Sequence, residues 1–337
     1  MSQKLGTAVV GTGYIGYKHA RIYSEVLNSH LVAVVDRDRN RAQKIANELG
    51  CRAEYDYRRV LDDPEIDVVS ICLPENNHVK PAIEFAVNGK HVLLEKPMAM
   101  TTKDCDEIIE GIKGTKVKFM VGHLLHFDPK YSRAKECINR GQIGDIIHIV
   151  AQRNGLISAG RNTGVAGNIS VLHHVGVHDY ELALWFSKGK VKRVYSEYCN
   201  RLLPGIATQD SFWGLIKFDD GSFASIGSSW VLEDSSGADV SARMEILGTH
   251  GLIELDCGIG GSLRIFTKEG WDFPDVYHWP VVNGNIAGAL REQLVHFLRC
   301  VIEDKKPHVT IEGARLAVRV VELLLESAER GVPVYSK

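Results

Sequence analysis

Six residues near the start of the chain, Gly11-Thr12-Gly13-Tyr14-Ile15-Gly16, restrict its fold more than any other stretch. They follow an apolar segment, Thr7–Val10, and lead into a helical pattern, Tyr14–Leu27. A G-x-G-x-x-G run at a strand-to-helix turn predicts a dinucleotide site. The chain has 32 glycines, so the match alone is weak; its context makes it specific. Gly11 permits the tight turn, Gly13 lets a pyrophosphate approach the backbone, and Gly16 lets helix and strand pack closely. The helix start adds N–H groups and a positive dipole end. Asp36 ends the next apolar segment, Leu31–Val35, about 20 residues on, where a ribose-binding carboxylate is expected. That carboxylate would repel a 2′-phosphate, which predicts NAD over NADP, although Arg37 and Arg41 lie close by. Arg37 is also placed to stack on an adenine.

The alternation continues through helix Arg39–Leu49, strand Asp67–Leu73, helix Val79–Val87, strand His91–Leu94, helix Thr102–Ile112 and strand Val117–Val121. Such a rhythm predicts a parallel, doubly wound α/β sheet. After helix Pro129–Arg140 the texture changes. Longer β-rich segments follow: IIHIVAQRN, VKRVYSEYC, SFWGLIKF, SFASIGSSW, ARMEILG, GLIELDC and SLRIFT. Turn signals such as Asp219-Asp220-Gly221 and Gly260-Gly261 separate several of them. Two helices close the chain, Ala287–Glu303 and Ile311–Arg330, the second with an apolar stripe of Leu316, Val320, Leu323 and Leu324. The expected architecture is therefore a Rossmann domain over residues 1–122 and an α+β domain over 123–337. The second domain carries a large, mostly antiparallel, open-faced sheet.

Composition excludes several classes. Net charge is −2, so no global field favours nucleic acid or an anionic membrane. No apolar run approaches the roughly 20 residues that span a bilayer. The start shows no secretory signal. Seven cysteines, none in a Cys-x-x-Cys spacing, suit neither a disulfide framework nor a thiolate zinc site. A reducing, cytoplasmic setting is expected.

A second motif, Glu95-Lys96-Pro97, ends the strand HVLL. Ligands bind at the carboxyl edge of a parallel sheet, and the proline restricts the backbone of the lysine before it. An ammonium there can orient an alcohol and stabilise its developing alkoxide; a solvated surface lysine is the plain alternative. Together, GTGYIG, VVD, CLPENNH, NGKHVLLEKP, HLLHFDPKY and the final ESAERGVPV resemble the glucose–fructose oxidoreductase/inositol dehydrogenase (Gfo/Idh/MocA) family along essentially the whole chain. The resemblance implies an NAD(P)-dependent dehydrogenase or reductase of sugars, inositols or nucleotide sugars, with Lys96 assisting catalysis. It also implies a substrate cleft between the two domains and a homodimer or homotetramer formed through the C-terminal sheet. Leu73, Pro74, Asn76 and His78, with Glu95 and His123, would line the nicotinamide side of the cofactor. Relatives often carry Thr-Pro-Asn-x-x-His where this chain has Leu73-Pro74-Glu75-Asn76-Asn77-His78, and Asn and Arg where it has His123 and His126.

The stretch SVLHHVGVHDYELALW holds His173, His174 and His178. His174 and His178, four residues apart, share a helix face. His178 holds the position of the family's acid–base histidine, while His174 stands where an aspartate is usual. His178 would take the hydroxyl proton as hydride leaves the adjacent carbon. His174 would hold substrate or tune its neighbour. A metal pair is the alternative, but Val175 denies an H-E-x-x-H arrangement, and no metal is expected. Packing at a domain interface is the plain reading. Asp179 is expected to pair or orient. His126, Arg153, Asn154 and Arg161 are candidate substrate contacts; Arg161 lies in a polar loop, Gly155–Gly167, with the composition of a cleft lid. Tyr277-His278-Trp279 is a candidate lining of a sugar site or plain sheet-edge packing.

The expected function is NAD-dependent oxidation of a secondary ring hydroxyl of a cyclic polyol or sugar, with hydride passing to nicotinamide. Open alternatives are a nucleotide-sugar dehydrogenase, with Arg153 and Arg161 meeting a diphosphate, a redox-assisted hydrolase or epimerase that retains NAD, and a non-catalytic NAD(H)-sensing module.

Overall fold

The computed structural model describes residues 4–165, 169–203, 209–257, 263–268 and 270–336. In chain order its first elements are β1 (Leu5–Val10), α1 (Tyr14–Glu25), β2 (Ser29–Val35), α2 (Arg39–Leu49), β3 (Arg52–Glu54), β4 (Val68–Ile71), α3 (Val79–Val87), β5 (His91–Leu94), α4 (Thr102–Gly111) and β6 (Phe119–Val121). These build a six-stranded sheet of order β3-β2-β1-β4-β5-β6, parallel throughout. Every residue of β1 is buried, as expected when helices cover both faces of a parallel sheet. Side-chain caps set the helix starts: Asp38 accepts from the Arg41 N–H ahead of α2, and Thr101 from the Asp104 N–H ahead of α4. Gly50 ends α2 in the left-handed conformation.

The chain continues through α5 (Pro129–Asn139), β7 (Ile146–Leu156), the single turn α6 (Ile157–Ala159), α7 (Val177–Phe186), β8 (Val191–Cys199), β9 (Ser211–Phe218), β10 (Phe223–Leu232), β11 (Val240–Gly248) and β12 (Gly251–Asp256). Two small hairpins follow, β13 (Ile265–Thr267) with β14 (Gly270–Asp272) and β15 (Val281–Val282) with β16 (Asn285–Ile286). Then come α8 (Ala289–Ile302), α9 (Ile311–Arg330) and β17 (Val334–Tyr335). The large sheet has seven strands in the order β12-β11-β7-β10-β9-β8-β17. All its pairs are antiparallel except β7 with β10. Along β9 the exposed Trp213 and Leu215 alternate with the buried Phe212 and Ile216, so one face is packed and the other open. On the packed face, Leu324 of α9 and Tyr180 of α7 lie against Gly214 of β9.

The division of the chain differs from a break at residue 122. One compact unit combines Met1–Phe127 with His278–Arg315; the other combines Asp128–Tyr277 with Leu316–Lys337. The physical reason is α8. Its buried residues Leu290, Leu294, Phe297 and Leu298 join Leu5, Val9, Ile22, Val34 and Leu93 in one apolar core. The sequence placed a helix here without revealing which surface its apolar face covers.

Other details also differ. Leu316 is 38% exposed, and the packed stripe of α9 runs instead through Ala317, Val320, Val321 and Leu324, joined by Leu323. The expected loop from Gly155 is largely helical: α6 leads into a π-helical turn, Gly160–Val165, while Gly167 lies outside the described residues. The Gly260-Gly261 turn also lies outside them. Strands β3 and β17 carried too few apolar residues to signal themselves.

Phe297→Ala should lower the stability of the first unit by about 3–5 kcal/mol, the cost of emptying a buried aromatic site. Urea denaturation measures it, and an unchanged midpoint would remove α8 from that core.

Candidate active site

The phosphate loop has the geometry its sequence requires. Gly11 sits at φ +88°, and a Cβ there would lie 2.4 Å from the Cys72 carbonyl oxygen. A Cβ on Gly16 would lie 1.8 Å from the Gly11 carbonyl oxygen, so α1 can approach the loop this closely only with glycine at that position. Gly13 starts α1 without a side-chain cap, and a Cβ on it would meet nothing within 4 Å. The helix start is thus open for an anion. Asp36 closes the loop from the end of β2. Its Oδ2 accepts the Thr12 N–H (2.9 Å) and hydroxyl (2.8 Å), and its Oδ1 accepts the Asp38 N–H (2.9 Å). Arg41 Nη1 lies 3.3 Å from Oδ2. Burial by itself raises the pKa of Asp36, but these donors and the Arg41 charge hold it below the usual carboxylate range. Oδ1 keeps acceptor capacity for ribose hydroxyls. These residues fit an adenine dinucleotide: Gly11, Thr12, Gly13, Tyr14, Ile15 and Gly16 around the pyrophosphate, Asp36 on the ribose. Arg37 is exposed beside them. Tyr14 is 64% exposed, with Lys18 Nζ 3.3 Å above its ring and Trp279 edge-on at 6.0 Å.

The second motif lies at the end of β5, beside the end of β4 and on the same sheet edge. Glu95 and His19 of α1 are buried together, with Nε2 and Oε1 3.3 Å apart. Burial pushes the Glu95 pKa up; the His19 ring, the Lys96 charge and the Lys96 N–H outweigh it and hold the carboxyl below its ordinary value. Gly122 leaves room for this group, since a Cβ there would lie 2.8 Å from Oε1. Lys96 is half-buried and donates its backbone N–H to Glu95 Oε2 at 3.2 Å. Leu73 is half-buried, and Pro74 and Asn76 are exposed. His78 is fully buried, so it is not open to a cofactor; its ring lies between two backbone carbonyls, 2.9 Å from Pro97 and 2.9 Å from Leu73. His123 is buried as well. His126 is buried edge-on against His308, with ring centroids 5.3 Å apart, which corrects its reading as an open substrate contact.

In the second unit, His174 ends up in a π-helical turn, Leu172–Gly176, that runs directly into α7, whose second residue is His178. Both rings are half-buried, and His174 lies 6.4 Å from the fully buried Trp230. A π-turn fused to a helix is a common device at functional sites. Arg153 is not a substrate contact. It is 4% exposed, and its guanidinium grips Asp179 through two 2.9 Å bonds and donates to the Tyr131 hydroxyl at 3.2 Å. Burial by itself lowers the Arg153 pKa, but the Asp179 charge and its hydrogen bonds more than reverse that. Alternation put Arg153 on a strand end without showing which face it took. Asn154 accepts from the Ser229 hydroxyl at 2.7 Å, and Arg161 is exposed on the Gly160–Val165 turn. Among the described residues, no three His, Cys, Asp or Glu side chains are grouped to hold a metal ion. No described helix is long and apolar enough to cross a membrane.

Sequence reasoning missed His19 and Tyr131. His19 had a signal, three residues after Gly16 on the buried face of α1, and Tyr131 had none beyond its helix.

Comparison with known proteins agrees with this fold. Residues 5–123 match the oxidoreductase family with an NAD-binding Rossmann fold, and residues 131–254 match the GFO/IDH/MocA C-terminal domain. The chain is 29% identical to the scyllo-inositol 2-dehydrogenase (NAD(+)) of Bacillus subtilis (strain 168), over 99% of this chain and 97% of that one. It is 30% identical to the 2,7-anhydro-N-acetylneuraminate hydratase of Mediterraneibacter gnavus, over 79% of this chain and 71% of that one. The fold superposes on scyllo-inositol dehydrogenase from Lactobacillus casei, solved with NAD(H) and scyllo-inositol, with a TM-score of 0.84 at 19% identity, covering 99% of each chain. The first unit is thus an NAD-binding Rossmann domain. The chain belongs to the Gfo/Idh/MocA oxidoreductase family.

Asp179→Asn should strip a buried arginine of its counter-charge and cost about 3–5 kcal/mol. Replacing both partners, as Arg153→Met with Asp179→Leu, should recover most of that loss in urea denaturation; equal instability of both variants would argue against a charge effect.

Proposed function

We propose that the protein is an NAD-dependent oxidoreductase acting on a secondary ring hydroxyl of a cyclic polyol or sugar, with an inositol as the first candidate. One observation carries the reading: the phosphate loop after β1, the ribose carboxylate Asp36 after β2 and Lys96 after β5 all lie at the carboxyl edge of one parallel sheet. The 29% identity to the scyllo-inositol 2-dehydrogenase over nearly the whole chain supports the substrate class. Asp36 disfavours a 2′-phosphate, which makes NAD the preferred cofactor over NADP.

When bound, nicotinamide supplies the two-electron acceptor at its C4. The lysine ammonium of Lys96 accepts nothing itself; it donates to the substrate oxygen, orients it and stabilises charge as the carbonyl forms. His178 takes the hydroxyl proton in oxidation and returns it in reduction. His174, where relatives usually place a carboxylate, holds the substrate or tunes His178. A second reading, redox-assisted elimination or hydration with NAD retained, is favoured by the 30% identity to the hydratase.

The open face of the large sheet bears on assembly. Trp213 is 46% exposed there, lying across Gly227 and donating its indole N–H to Ser225 at 2.9 Å, with Leu215 and Val150 also exposed. A second copy of the chain is the proposed cover, giving a homodimer or homotetramer. Trp213→Asp should then shift sedimentation toward the monomer, and an unaltered assembly would remove this face from the interface.

An absorbance screen for NADH over inositols, aldoses and UDP-sugars tests the activity. Turnover is expected with an inositol and NAD, and Lys96→Ala or His178→Ala should each lower kcat by about 10²–10⁴-fold. No net reduction of NAD or NADP by any of these substrates would sink the simple dehydrogenase, and NAD that stays bound through purification would then favour the second reading.

A further inference from the structure

The backbone around Lys96 is anchored unevenly. Before the lysine, the Glu95 N–H donates to the Ile71 carbonyl at 2.9 Å, continuing the ladder between β4 and β5, and Lys96 donates its own N–H to Glu95 Oε2. After it stands Pro97, which has no N–H. The backbone handle that residue 97 offers is its carbonyl, and His78 Nδ1 lies 2.9 Å from it. The other ring nitrogen, Nε2, lies 2.9 Å from the carbonyl of Leu73, in the loop that follows β4. His78 is the residue before α3, yet its side chain makes no helix-capping bond; it turns inward and is fully buried.

We propose that His78 is a positioning residue for Lys96, its buried ring wedged between the Leu73 and Pro97 carbonyls and hydrogen-bonded to the one just beyond the lysine. The inference rests on the catalytic role of Lys96 proposed above. Burial lowers the pKa of His78, so the ring is neutral near pH 7 and carries one N–H. It donates to one carbonyl at a time, and the bond to Pro97 is the one that fixes the lysine. An error of about 1 Å in placing such a group costs on the order of 100-fold in rate.

Two substitutions separate the two bonds. An asparagine amide reaches the place of Nδ1, beside Pro97, and a glutamine amide reaches the place of Nε2, beside Leu73. His78→Asn is expected to keep kcat within about fivefold of the parent, and His78→Gln to lose at least about tenfold. The Kd for NAD, from quenching of protein fluorescence, should stay within about twofold in both, because His78 does not touch the cofactor. Rates are scaled to the NAD-binding fraction, so partial unfolding lowers the amount of enzyme and not kcat. In a Lys96→Ala background, measured by slow NADH accumulation, His78→Gln should have no further effect. Equal kcat losses in the two variants, a loss carried by NAD affinity, or the same factor in the Lys96→Ala background would each overturn the proposal. Full turnover by Lys96→Ala alone would instead refute the role of the lysine.

Discussion

Burying a carboxylate is unfavourable unless donors come with it, and the nucleotide end of the first unit depends on one such group. Asp36 collects the N–H and hydroxyl of Thr12, the N–H of Asp38 and the Arg41 guanidinium. These bonds lock the glycine turn to the end of the neighbouring strand, and the close approach of Gly16 to Gly11 then fixes where α1 begins. The same principle recurs at Glu95 with His19 and, in the second unit, at Asp179 with Arg153. In each case at least one partner of the charge is delivered by another element of the fold.

The local part of this was legible. Strand, glycine turn, helix and acidic residue follow one another within about 30 residues, so the first βαβ unit could be read directly from spacing. The long alternating segments likewise announced the large sheet, because period-two patterning survives wherever one face is exposed. What failed was assignment of direction and partner. Arg153 reads the same whether it faces solvent, substrate or Asp179, and only the fold shows that it grips Asp179. His126 and His78, read as ligand contacts, are buried against other protein groups, because histidine suits a cofactor edge and a backbone bridge equally well. Lys96 stands at the sheet edge where the motif placed it, since a strand end is a local property.

Histidines recur at the sheet edge in two structural roles. His19 meets a carboxylate, and His78 lies between two carbonyls on the far side of Lys96. Neither ring is exposed. The backbone on either side of Lys96 therefore meets groups drawn from α1 and from the segment before α3.

Helix α8 contributes to the core of the first unit although it begins only at Ala289. During synthesis the parallel sheet is finished about 170 residues before this helix leaves the ribosome, by the chain positions of β6 and α8. At roughly 5–20 residues per second, the apolar surface that α8 covers stays open for on the order of ten to thirty seconds. The nucleotide-binding unit thus reaches its final packing late, after every strand of the large sheet but β17 has emerged, and a chaperone binding the nascent chain would find its exposed target on the Rossmann side.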